Sequence, residues 1–147
     1  LTKSAIFYAV GHVAQIKGTQ KMADISGLTV THPGLGWAFL VGVAAIAGLP
    51  PLGVFMSEFL IVSSTFAVEP LLAVPLVLGL LTAFGALMMR TTAMAFGEPS
   101  GNSPAGTAPG WVSYLPIHAH LALVLVAGLY LPAPLVGWFR NVAGLLG

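Results

Sequence analysis

The sequence predicts an all-α integral membrane protein of about four transmembrane spans, the second a discontinuous helix broken at Pro50-Pro51. Three observations carry this. Of 147 residues, 57% are hydrophobic and 6% charged, and the mean hydropathy is +0.96, a balance that ordinary soluble domains do not have. Long apolar runs alternate with short polar or Gly/Pro-rich connections along the whole chain. One such run, Ala47 to Phe59, holds a double proline and two glycines and places Glu58 a few residues past the break. An interrupted helix in a membrane needs neighbouring protein or a water-filled cavity to satisfy its freed backbone groups, and a carboxylate there is costly, so break and acid together suggest an ion pathway.

Composition also excludes function classes. A net charge of +1 with no basic stripe leaves no electrostatic footprint for nucleic acid. With no cysteine there is no disulfide, thiolate zinc site or cysteine-ligated iron–sulfur cluster, so redox chemistry would belong to another subunit.

The first span is read at about residues 1–16. It has no charged leader before it and resembles the end of a helix rather than a signal peptide. Lys3 and His12 lie within it, and Lys17-Gly18-Thr19 forms its polar exit. A helix rises about 21 Å from Lys3 to Lys17, which sets Lys3 deep in a hydrocarbon core roughly 30 Å thick. The connection from Lys17 to Pro33 carries Lys17, Lys21, Asp24 and His32, and its lysines argue that this side is cytoplasmic.

Gly34–Leu49 and Leu52–Val68 each fall short of the roughly twenty residues that a span needs. The prolines between them either turn a hairpin or interrupt one span, read at 34–68. Charge placement favours the second: in a single broken span Arg90, near the end of the next span at 70–96, falls on the same side as Lys17 and Lys21. Residues 97–110 read as a flexible, solvated loop of Gly, Pro, Ser, Thr and Asn. A last span follows at about 115–131, flanked by Trp111 and Tyr114 at one end and Tyr130 and Trp138 at the other. Pro132 and Pro134 stop it. Within 135–147 the residues Leu135, Trp138, Phe139, Val142 and Leu145 share a helical face opposite Arg140 and Asn141, the pattern of an interfacial helix.

Lys3, Glu58 and His12 are the candidate proton-transfer residues, with Pro50, Pro51 and Gly53 forming the helix break. Glu58 lies about 16 Å of helix from Glu69, so like Lys3 it falls in the middle third of the core. Desolvation disfavours the charged form of either group and an opposite charge favours it, so making or breaking contact between them could switch each between holding and releasing a proton. A buried structural ion pair is the competing account of the same two residues. His12, nearer the polar exit, reads equally as a relay step or a packing contact. His118 and His120 lie about 200° apart on a helix, which precludes a shared metal and suits two interfacial histidines. Arg90 can reach the headgroups and reads as an anchor.

These residues also carry a family resemblance. Thr2-Lys3-Ser4-Ala5-Ile6-Phe7, then Gly48-Leu49-Pro50-Pro51, then Ser57-Glu58-Phe59-Leu60-Ile61 resemble the C-terminal part of the antiporter-like membrane subunits. That family comprises the proton-translocating L, M and N type subunits of complex I and subunits of cation/proton antiporter complexes and membrane-bound hydrogenases, here most like the hydrogenase-4 component F type. The resemblance covers about residues 1–96. It implies a bundle built from inverted repeats, each with a discontinuous helix, of which this chain holds most of the second. By position Lys3 matches the family's lysine in the helix before the broken one, and Glu58 matches the ionisable residue after the break. Expected partners are the bilayer and the other membrane and peripheral subunits of a hydrogenase or complex-I-like assembly. The expected location is the inner (cytoplasmic) membrane, and the expected function is ion movement driven by redox chemistry elsewhere, with no cofactor bound by the subunit itself. A multisubunit cation/proton antiporter and a purely structural membrane subunit are the alternatives.

Overall fold

The computed structural model describes residues 1–99 and 110–146, and among these every regular element is helical. The elements are α1 (Thr2–Lys17), α2 (Leu28–Thr31), α3 (Pro33–Ile46), α4 (Gly53–Val68), α5 (Pro70–Phe96), α6 (Leu115–Leu129) and α7 (Ala133–Leu146). Short 3₁₀ turns at Met22–Asp24 and Trp111–Tyr114 join them. Pro70–Phe96 and Trp111–Leu129 are long and apolar enough to cross a membrane, and Pro33–Ile46 and Gly53–Val68 are shorter apolar helices. Of the segment read as a flexible loop, residues 100–109 lie outside the described residues.

α1 buries a stripe of Ala5, Ala9, Val13 and Ile16, spaced three or four residues apart, against α3 and α6. It ends at Gly18, whose left-handed φ of 63° suits a residue without Cβ. The connection that follows is packed. Ile25 and Leu28 enter the core, the Ser26 hydroxyl donates to the Glu98 carbonyl at 2.6 Å, and Thr29 donates to the Ala95 carbonyl at 2.6 Å. These bonds fasten the 18–32 segment to the end of α5, so both lie at one end of the bundle.

α5 is the longest helix and the reference for the others. Trp37, early in α3, meets Phe96 edge-on at a centroid distance of 5.8 Å, and the end of α3 lies beside Phe84 and Leu87. α3 therefore runs antiparallel to the second half of α5. α4 returns along the first half, with Glu58 near Leu80, Leu81 and Phe84, and meets α5 at the Glu69 corner. α6 runs beside α3, and Leu121 packs near Gly42 before Val124 joins Ala45 and Leu52 in a small cluster. α1 runs antiparallel to α6, since His12 meets Tyr114 and Tyr8 meets His120.

Hydroxyls along the apolar helices are satisfied locally. Ser64, Thr65, Thr82, Thr91 and Thr92 each donate to the carbonyl one turn back, at 2.7 or 2.8 Å, as a medium without water requires. α4 buries none of its residues, and Phe59, Leu60, Ile61 and Phe66 stand exposed along it. α7 carries the apolar face that includes Trp138 and Phe139, whose rings meet at a centroid distance of 5.3 Å and are both exposed.

Candidate functional site: a carboxylate over the link between α3 and α4

The chain between α3 and α4 cannot continue as helix, because Pro50 and Pro51 lack backbone donors and proline rings clash with the preceding turn. α3 instead ends in a left-handed glycine cap: Gly48 has φ 70°, and the Leu49 N–H reaches back to the Ala44 carbonyl at 3.0 Å. The Pro50-Pro51 peptide bond is cis, and Leu52 leads straight into α4, where Phe55 N–H bonds its carbonyl at 3.0 Å. Gly53 is the first residue of α4, and the left-handed position of the break falls to Gly48.

Two further glycines let α6 brace the link. A Cβ on Gly128 would overlap the Pro51 carbonyl oxygen, and a Cβ on Gly53 would come within 3.3 Å of the Val124 carbonyl oxygen. The link between α3 and α4 thus rests directly on the backbone of α6.

Glu58 completes the site. It sits in the second turn of α4, half-buried, and folds back over the break so that its carboxylate occupies the place a Cβ of Gly48 would take. The cleft it enters has a volume of about 410 Å³. One wall is the end of α3 and the break, from Ile46 to Pro50, and the other is the α5 face of Leu80, Leu81, Phe84 and Leu87. Among the described residues, Glu58 is the only ionisable one lining it. The carboxyl is thus set against apolar side chains at the end of α3 and on the α5 face.

Lys3 stands in the first turn of α1 and is exposed. Ile6 approaches Gly42, with 3.3 Å from its Cγ1 to a Cβ built there, so Lys3, about 4.5 Å further along the helix, is level with the end of α3. Lys3 and Glu58 therefore share the depth of the break but not a contact. Among the described residues no ion pair joins them, and α3 stands between α1 on one side and the cleft against α5 on the other. His12 is tied elsewhere, with Nε2 2.9 Å from the Ser113 carbonyl and its ring edge-on to Tyr114 at 5.4 Å. A carbonyl only accepts, so Nε2 carries a hydrogen in this contact.

Sequence reasoning assigned no separate role to Gly48 or Gly128. Gly48 had a legible signal, a glycine immediately before a Leu-Pro-Pro stop, whereas Gly128 matters only through a contact with a segment far away in the chain.

The sequence is similar to that of known membrane subunits. Residues 1–91 match the family described as NADH:quinone oxidoreductase/Mrp antiporter, TM. The chain is 56% identical over 146 residues to a hydrogenase-4 component F homolog of Methylacidiphilum infernorum, covering 99% of this chain and 30% of that relative. It is 34% identical over 131 residues to the Na(+)/H(+) antiporter D subunit of Alkalihalophilus pseudofirmus, covering 87% of this chain and 26% of that protein. With the NADH-quinone oxidoreductase N subunit of Saccharopolyspora erythraea it shares 29% identity over 146 residues, 97% of this chain and 28% of the relative. The chain thus spans less than a third of the length of these curated relatives. The match over residues 1–91, more than half of the chain, places it in the NADH:quinone oxidoreductase/Mrp antiporter transmembrane family.

Proposed function

We propose that this chain is part of a proton-translocating membrane subunit of a respiratory or hydrogenase-type oxidoreductase complex, in which redox chemistry on other subunits drives ion movement. The observation that carries this reading is the Glu58 carboxylate, laid over the Gly48 break in an otherwise apolar cleft. Lys3, at the same depth on the other side of α3, is the second protonatable group, and His12 connects towards the loop end. Because α3 separates Lys3 from Glu58, a proton passes between them through water admitted at the break rather than by direct contact. Pro50, Pro51 and Gly53 keep that gap open. The subunit binds no cofactor itself. Its partners are the other membrane and peripheral subunits of the parent assembly, in the inner membrane.

The second reading is a subunit of a multisubunit cation/proton antiporter, favoured by the likeness to the Na(+)/H(+) antiporter relative. Transport assays on the full-length protein in its complex separate the two. Proton uptake that depends on electron transfer supports the first reading, and cation-driven exchange without an electron donor supports the second.

We also read α3, the break and α4 as one discontinuous crossing, which gives four spans with α1, α5 and α6, and α7 as a helix lying in the membrane surface. The antiparallel run of both α3 and α4 along α5 supports the single crossing, and the exposed Trp138 and Phe139 support the interfacial helix. The expected topology puts the 18–32 connection and the end of α5 in the cytoplasm, with Glu69 opposite. Single cysteines at Gln20, Glu69 and Gly110 in the full-length protein should react with an impermeant thiol reagent from one side, from the other, and from the first side again. Labelling of positions 20 and 110 from opposite faces contradicts the single broken crossing.

A further inference from the structure

α5 is fastened near its two ends and crosses open space between them. Ala73, one turn past the Glu69 corner with α4, is fully buried, and at the loop end Thr91, Met94 and Ala95 are buried. There the Ala95 carbonyl accepts from Thr29, the Glu98 carbonyl accepts from Ser26, and Phe96 meets Trp37. None of residues 74–90 between these anchorages is buried. Leu80, Phe84 and Leu87 recur at helical spacing on the face that also carries Ala73 and Thr91, yet Phe84 and Leu87 are each 37% exposed. What they border is the cleft that holds Glu58.

The backbone at one edge of this stretch is suited to bending. Pro75 lies inside α5 and has no N–H, so the Leu71 carbonyl is left without its helical donor, and long helices kink at such prolines. Gly79, one turn further on, would meet nothing within 4 Å if it carried a Cβ, so no packing contact calls for a glycine there. Glycine weakens a helix interior, which extends the soft point over residues 75–79. The cleft wall of Leu80, Leu81, Phe84 and Leu87 follows this point, and the corner that joins α5 to α4 precedes it. A bend there changes the separation of the wall from Glu58. α4, none of whose residues is buried, offers little resistance to it.

We propose that α5 is a hinged strap over the cleft: a bend at 75–79 brings Leu80, Phe84 and Leu87 onto the Glu58 carboxyl and shuts it off from water, and the reverse motion uncovers it. The arrangement with a cleft of about 410 Å³ is the open one. Closing isolates the carboxyl with whatever proton it holds, and opening returns it to exchange with water. The consequence for transport rests on the reading of Glu58 as a proton-carrying group.

The test uses the full-length complex in proteoliposomes, with spin labels on Leu60 of α4 and Met89 of α5, both exposed. Two distances between the labels are expected during turnover. Pro75→Ala combined with Gly79→Ala makes α5 a more regular helix, and the second change meets open space. The double variant should leave a single distance and lower proton uptake by roughly tenfold, because turnover needs both positions. Pro75→Ala alone should show the same change in part. A single distance without these substitutions overturns the proposal, as does a double variant that keeps both distances or that keeps wild-type uptake. If Glu58→Gln keeps wild-type uptake, the reading of Glu58 has failed, while the distances still decide whether α5 bends.

Discussion

Gly48→Val abolishes most proton translocation while the complex still assembles, the largest effect expected of any single change outside the ionisable residues. Two costs combine at this position. The left-handed backbone, φ 70°, is natural for glycine but costs an L-residue about 1–2 kcal/mol and a β-branched one more. The new side chain also claims the space held by the Glu58 carboxylate, so the acid is pushed off the break. Gly48→Asn separates the two costs, because asparagine tolerates the left-handed region but still overlaps the carboxylate. Comparable transport loss in Gly48→Asn and Gly48→Val, with complex intact on native gels, identifies the carboxylate's seat as what matters. Near-normal transport in Gly48→Asn would show that the glycine serves only the backbone.

Lys3→Ala removes transport as completely as loss of the acid does, although the two groups do not touch. In a relay every protonatable step is required, so single removals are each severe and their combination is no worse than either. A structural ion pair behaves differently. Removing one partner of a buried pair leaves an uncompensated charge at a cost of about 3–5 kcal/mol, so each single variant should fail to assemble and the double variant should recover. The absence of an ion pair between Lys3 and Glu58 among the described residues favours the relay. Yields of assembled complex for Lys3→Ala, Glu58→Gln and the double variant decide the matter: three near-normal yields support the relay, and recovery only in the double variant supports the pair.

The all-helical class was legible in composition alone, because an apolar chain of this kind has few other ways to satisfy its backbone. The interruption at Pro50-Pro51 was legible for the same local reason, since proline cannot continue a helix, and α3 does end at Ile46 and α4 begin at Gly53. What the sequence hid lies in contacts between distant segments. The connection after Lys17 read only as polar, yet Ile25 and Leu28 are buried and α2 is bonded to the end of α5. Too few residues of either kind occur there to set up a periodic signal. Gly128 likewise looks ordinary in α6, and its significance comes from the Pro51 and Leu52 backbone, which only the packing brings beside it. The depths of Lys3 and Glu58 could be estimated from helical rise, but nothing local revealed that α3 would stand between them.

The most direct test of the central assignment is electron-transfer-driven proton uptake by the full-length complex, reconstituted with Glu58→Gln and with Glu58→Asp. Glutamine preserves the shape of the side chain but cannot take up and release a proton, whereas aspartate keeps the carboxyl on a shorter arm. The expected result is near-complete loss of uptake in Glu58→Gln and partial uptake in Glu58→Asp, with assembly normal in both. Wild-type uptake in Glu58→Gln would contradict the role assigned to the carboxylate over the break.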